Sequence, residues 1–352
     1  MKKLASAFLA SAMAVSLVGC GGGGQAPVAE QPKGQEQKPA AEAPKEQIVI
    51  KFSHVTAPES VKGKAAQKFA DLVAEKTGGQ VKVEVYPSSQ LYGDKDELDA
   101  LVAGNVHMIA PSVTKMVKLD PRWQYVDMPF LFQDRAHAIK FFESDVAKSL
   151  LQGDALVSND ILGLVFWENG FKNFTNNKKP LVTPADFNGL KFRSQAGKVL
   201  EAQFKAVGAG SATIPFGETY AALQQGTVDG QENTFDNMHT QKYQEVQKYM
   251  TVSNHGRLDY AVFVNKPFWE GMPEDVRAKV EEALKESTTY ELELAEGQNQ
   301  KAYEELKASG KLEVTELTDE QRAELEKAFA KVYEEFTQTI TPELIDGIKA
   351  LK

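Results

Sequence analysis

Ile48-Val49-Ile50-Lys51-Phe52, Val61 to Lys76 and Val81-Lys82-Val83-Glu84-Val85-Tyr86 decide the fold class between them. The first run is short, apolar and β-branched, which predicts a strand. In the second, Ala65, Phe69, Leu72 and Val73 recur at helical spacing, and Gly78-Gly79 supplies the stop. The third alternates apolar and polar residues until Pro87 closes it. The same strand and helix alternation continues outward. A helix near Lys95 to Ala103, a strand His107 to Ala110, a helix Arg135 to Leu151 and a strand Ile161 to Trp167 follow. The second half repeats the style, with strand Leu190 to Arg193, helix Gly197 to Ala206, strand Ala212 to Ile214, helix Gly217 to Gln225 and strands near Met250 and Leu258 to Val264. A long Glu/Lys-rich helix then runs from Glu274 to Ser309, before a strand Leu312 to Leu317 and a last helix from Asp319. The pattern predicts an α/β body with mainly parallel sheet.

Upstream of that body the composition changes. Lys2 and Lys3 precede a mostly apolar run from Leu4 to Val18, too short to span a bilayer and flanked by small residues, which reads as an export signal over residues 1–19. Leu17-Val18-Gly19-Cys20 resembles a bacterial lipobox, so Cys20 is the expected lipidation site and first mature residue. Residues 21–47 are built from Gly, Ala, Pro, Gln, Glu and Lys and cannot bury enough surface to fold. They read as a disordered tether with a reach of roughly 30 Å. Cys20 is the chain's one cysteine, which excludes an internal disulfide, a cysteine zinc site and an iron–sulfur cluster. The body, residues 48–352, carries a net charge of −10 against −9 for the whole chain, because the leader's two lysines outweigh the tether's excess acid. Without a basic face, nucleic acid is an unsuitable partner.

An exported, tethered α/β chain with two sheets suggests a two-lobed binding protein with a cleft between the lobes, since such sheets bind ligands beyond their strand carboxyl ends. Enzyme signatures are absent. There is no phosphate-binding Gly-rich loop with Lys, no GxSxG and no HExxH, and His54, His107, His137, His239 and His255 are too scattered for a local metal motif. An exported Ser/His/Asp hydrolase remains the alternative of another class, which turnover of ester or amide substrates would reveal. No cofactor is expected.

Two stretches sharpen the reading. One is Trp167-Glu168-Asn169-Gly170-Phe171-Lys172, continuing through Thr175 and Pro180 to Leu190-Lys191-Phe192-Arg193-Ser194-Gln195. The other is Pro215-Phe216-Gly217-Glu218-Thr219-Tyr220-Ala221-Ala222-Leu223-Gln224 with Val228-Asp229-Gly230-Gln231-Glu232-Asn233. Together with Tyr86-Pro87-Ser88-Ser89-Gln90-Leu91-Tyr92-Gly93-Asp94 and Asn265-Lys266-Pro267-Phe268-Trp269, they resemble the extracytoplasmic solute receptors of tripartite ATP-independent periplasmic (TRAP) transporters, the DctP family. The likeness runs from about Ile48 to beyond Pro273. Lys172, the run Ser194 to Gln203 and Val252-Ser253-Asn254-His255-Gly256 are most similar to the C4-dicarboxylate-binding branch.

The resemblance implies a periplasmic-binding-protein-like fold with a long C-terminal bridging helix. The expected lobes are residues 48–169 plus 259–298 and residues 170–258 plus 299–352. It also implies that Arg193 meets the ligand carboxylate, a task suited to a planar guanidinium fork, and that Asn233 adds an amide contact able to donate or accept. Phe216 is the expected apolar wall. Lys172 would be a second cation for a dianion, and His54, just past the first strand, a donor for its far end. Trp167, Gln90, Tyr92 and Ser112 lie near strand ends of the first lobe and are further candidates, each equally able to serve core or loop. The implied partners are succinate, malate or fumarate and the small and large membrane subunits of the transporter. The receptor would be a monomer, lipid-anchored on the extracytoplasmic face of the membrane. A uronate, sialate or oxo acid as ligand, or a sensory role, stays open.

Overall fold

Polar residues interrupt the apolar pattern after Trp167, yet the strand there does not stop. It runs from Ile161 to Asn176, and its antiparallel partner runs from Tyr249 to Asn265. Sequence periodicity ends the first at Trp167 and divides the second in two, because Asn169, Lys172, Asn173, His255, Arg257 and Asp259 are buried polar residues that mimic loop composition. The computed structural model describes residues 47–352, so the export signal, Cys20 and all but the end of the tether lie outside the described residues.

The nine strands are β1 (Ile48–Ser53), β2 (Val81–Tyr86), β3 (Met108–Ile109), β4 (Ile161–Asn176), β5 (Lys191–Ser194), β6 (Gly210–Thr213), β7 (Gly230–Asn233), β8 (Tyr249–Asn265) and β9 (Glu313–Glu316). They form one sheet in the order β2-β1-β3-β8-β4-β7-β5-β6, with β9 beside β8. The short strands pair in parallel within each half, β1 with β2 and β3, β5 with β6 and β7. The halves are joined by the antiparallel β4/β8 pair, so the mainly parallel expectation holds for each half but not for the seam. That seam is bulged between Glu168 and Gly170. Gly170 sits at φ +130°, a conformation open to glycine and strained for other residues. At the far end of β4, opposite Asn176, Gly230 lets β7 close on it, since a Cβ there would fall 2.2 Å from the Thr175 carbonyl oxygen.

Helices cover both halves. Val61–Thr77 begins at Ser60, whose hydroxyl accepts the Gly63 N–H, and ends at left-handed Gly78. The helix expected over Arg135 to Leu151 is two, Arg135–Glu143 and Asp145–Leu151, because Ser144 takes extended backbone and caps the second. Glu274–Ala308 has 35 residues and a length of roughly 50 Å. It lies along both halves. Lys76 reaches its Glu282 and Glu286, Trp167 Nε1 donates to Thr288 Oγ1 at 3.0 Å, and Gln298 Nε2 donates to Asp236 beyond β7. This topology points the carboxyl ends of β1 and β3 at those of β5 and β7 across the seam.

Candidate functional site

Those strand ends enclose a narrow cavity of about 20 Å³, about enough for one water molecule. Val55, Thr56, Asp94, Ser112 and Lys115 face it from one half; Arg193, Gln195, Phe216, Asn233 and Asn237 face it from the other, and Leu258 and Tyr260 come from the seam. Larger surface depressions occur beside Phe130, Arg322 and Tyr333 and beside Asp236, His239 and Glu305, but neither is lined by a buried polar atom lacking a partner. The small cavity is. Asn233 Nδ2 and Ser112 Oγ both line it and lack partners among the described residues. Each such group costs about 1–3 kcal/mol, so a site kept for stability alone would have lost them.

Arg193 is inward-facing on β5 and 3% exposed. Its Nε donates to the Ile214 carbonyl at 2.9 Å, which fixes the plane of the guanidinium. Its terminal nitrogens form no hydrogen bond among the described residues, and the nearest carboxylate, Asp94, is 3.9 Å away. Asn233 ends β7. Its Oδ1 accepts from Asn237 Nδ2 at 2.8 Å, leaving the amide donor free. Phe216 lines the cavity, and its N–H donates to Asp94 Oδ2 at 2.7 Å.

Sequence reasoning missed the cation facing Arg193. Lys115, on the short helical turn Val113–Lys118, donates to the Gln195 carbonyl at 2.7 Å and lies 3.1 Å from Asp94 Oδ2. Burial holds its ammonium below the usual lysine range despite the pull of Asp94. Behind Tyr260, Lys62 is fully buried, donates to the Ala110 carbonyl at 2.8 Å and stands 3.8 Å from the tyrosine ring centre. Burial pushes it down to about 8, opposed by Glu97 and Asp94. Glu97 is buried with both carboxyl oxygens unpartnered, and desolvation, reinforced by Asp94, pushes it up to about 8.

Five expected residues stand elsewhere. Lys172 does not reach the cavity. Its ammonium sits between Glu232 Oε1 at 2.5 Å and Asp127 Oδ1 at 3.2 Å, fully buried. Glu232 Oε2 also takes His255 Nε2 at 2.7 Å and Gln203 Nε2 at 2.8 Å, while Thr114 Oγ1 donates to Asp127 at 2.8 Å. Burial opposes charge on all three. Yet Glu232 and Asp127 hold Lys172 above its ordinary range, and Lys172 with His255 hold Glu232 far below its own. Asp127, with the longer contact, is instead pushed by burial up to about 6.

Trp167 is core, packed on Phe52 and tied to Thr288. Gln90 is exposed and Tyr92 half-buried against core, and neither lines the cavity. His54 lies behind the wall that Val55 and Thr56 form. Its Nε2 lacks a partner, and burial together with Lys62 pushes the ring down to about 3; as it does not line the cavity, it is not placed to be the donor expected there. Among the described residues no group of three or more His, Cys, Asp or Glu is placed to hold a metal, and no helix is long and apolar enough to cross a membrane.

Comparison with known proteins bears on this geometry. Residues 52–339 match the model of DctP, bacterial extracellular solute-binding protein family 7. The C4-dicarboxylate-binding periplasmic protein DctP of Rhodobacter capsulatus is 49% identical over 306 residues, covering 87% of this chain and 91% of that protein. A TRAP periplasmic solute-binding protein of Sulfurospirillum deleyianum, solved with bound succinate, is 44% identical with a TM-score of 0.83, covering 87% of this chain and 99% of that one. Its counterpart from Shewanella oneidensis, also solved with succinate, is 38% identical with a TM-score of 0.84 and the same coverage.

Proposed function

The chain belongs to the DctP family of bacterial extracellular solute-binding proteins, and from that membership we propose that it is the receptor of a TRAP-type secondary transporter for a C4-dicarboxylate such as succinate, malate or fumarate. The observation that carries the substrate class is the pair of cations on opposite sides of one cavity, Arg193 and Lys115, surrounded by unpartnered donors. Arg193 and Lys115 both lie near Asp94, so cations outnumber carboxylates at the cavity, which suits an anionic ligand. The guanidinium fork of Arg193 takes one carboxylate in two parallel bonds, Asn233 Nδ2 and Ser112 Oγ supply further donors, and Lys115 meets the second carboxylate. Phe216 and Leu258 cover the methylenes. The receptor makes no bond itself.

The cavity is too narrow for entry as it stands, so the ligand enters when the halves part and is held when they close. Ligand that touches both walls favours closure, because only a difference in affinity between open and closed forms moves that equilibrium. The lobes are residues 48–169 plus 259–298 and 170–258 plus 299–352, hinged where β4 bulges at Gly170. Small and large membrane subunits receive the ligand, and Cys20, acylated after removal of residues 1–19, anchors the monomer by its tether. Calorimetry on the purified protein with succinate, malate, fumarate and acetate tests the substrate. Binding of the diacids with none of acetate is expected, and silence toward all three diacids ends the proposal. Mass spectrometry of the membrane-extracted N-terminal peptide tests Cys20, and an unmodified thiol there removes the anchor.

A further inference from the structure

Beside the ligand cavity lies a second chamber of about 220 Å³, and Asp94, Lys115 and Gln195 line both. Its remaining walls are chiefly apolar, from Leu98, Pro111, Met116, Val117 and Ala196, with the buried Glu97 among them, and its rim carries the exposed lysines Lys95 and Lys118. What separates the two spaces is a set of polar bonds drawn from both halves of the sheet. Lys115 Nζ is held by the Gln195 carbonyl at 2.7 Å and by Asp94 Oδ2 at 3.1 Å; the same Asp94 oxygen accepts the Phe216 N–H at 2.7 Å. Neither Lys115 nor Asp94 is loose. Their side chains are 14% and 6% exposed.

We propose that the Lys115–Asp94 wall sets the length of diacid this receptor accepts, ending a four-carbon chain at Lys115 and denying longer α,ω-diacids the chamber behind it. This rests on the dicarboxylate reading above. A longer diacid must either fold back on itself or push Lys115 off Gln195 and Asp94, which leaves a buried carboxylate without its cation. With the wall removed the same diacid gains. Its extra methylenes enter apolar space, each worth roughly a fourfold gain in affinity, and its far carboxylate comes out toward Lys95 and Lys118.

The test is calorimetry with succinate and the six-carbon diacid adipate, on wild type, on the double variant Lys115→Ala/Asp94→Asn and on Lys115→Met. Removing both charges of the wall together avoids stranding Asp94. Wild type should prefer succinate by about tenfold or more, and the double variant should shift the ratio toward adipate by about two methylenes' worth, roughly sixteenfold. Lys115→Met, whose chain still fills the opening, should weaken succinate without admitting adipate. An unchanged succinate-to-adipate ratio in the double variant overturns the proposal, as does wild type that binds both equally, a result independent of how the variants fold. Wild type silent toward succinate and adipate overturns the length stop, and silence toward malate and fumarate as well removes the dicarboxylate reading itself.

Discussion

Two buried cations lie in the same half of the molecule, and they have opposite characters. Lys172 meets two carboxylates, which are themselves engaged by His255, Gln203 and Thr114, so nearly every polar group there is satisfied. Arg193 spends one nitrogen on a carbonyl, keeps its carboxylate neighbour at 3.9 Å, and stands near an amide and a hydroxyl with nothing to bond. Burial and charge are equal in the two places; unspent hydrogen-bonding capacity is not. A saturated cation holds structure together, whereas an unsaturated one is held ready for something that arrives from outside.

The contrast is broken most forcefully at Lys172. Lys172→Ala strands Glu232 and Asp127 in the interior and should cost about 3–5 kcal/mol of folding stability, read by denaturant unfolding. If it leaves stability intact and abolishes only ligand binding, the two cations are alike after all. Arg193→Ala should do the reverse, weakening succinate by about 2–5 kcal/mol in calorimetry while the unfolding midpoint barely moves. Asn233→Ala removes one donor to a charged group, and a loss of about 1.5–3 kcal/mol in affinity is expected; unchanged affinity would take Asn233 out of the site. The effect at His54 is spread over pH, with the least change per pH unit. A histidine buried neutral binds fewer protons folded than unfolded, so stability is full above about 6.5 and declines as pH falls toward about 3. The slope from this group is at most ~1.4 kcal/mol per pH unit, and His54→Gln should flatten an acid-unfolding series by that amount.

Arg193, Asn233 and Phe216 are reached through the family resemblance and Ser112 through its place near a strand end, and these four are the expected residues that line the cavity. Lys172 is misread for a definite reason. Sequence displays its charge but not Asp127, 45 residues before it, or Glu232, 60 residues after it, which neutralise that charge only once folded. Lys115 is overlooked for the converse reason, as a lysine in a short turn reads as surface. The one available signal was Asp94, already inside a quoted motif and in need of a cation once buried. The α/β class follows from the apolar strands of each half. The seam does not, because β4 and β8 bury Asn, Lys, His, Arg and Asp in place of the apolar alternation that marks a strand.

That seam also governs the order in which the molecule can assemble. Met108 of β3 pairs with Val264 of β8, more than 150 residues later in the chain, so the first half of the sheet lacks its inner neighbour until about three quarters of the polypeptide is present. Closing so long a loop before its contacts repay it slows folding. A chain released with β8 missing has two incomplete half-sheets with open edges, and neither can finish alone. Both halves should therefore gain structure together and lose it together, in one cooperative transition, although the function proposed above has them part to admit ligand.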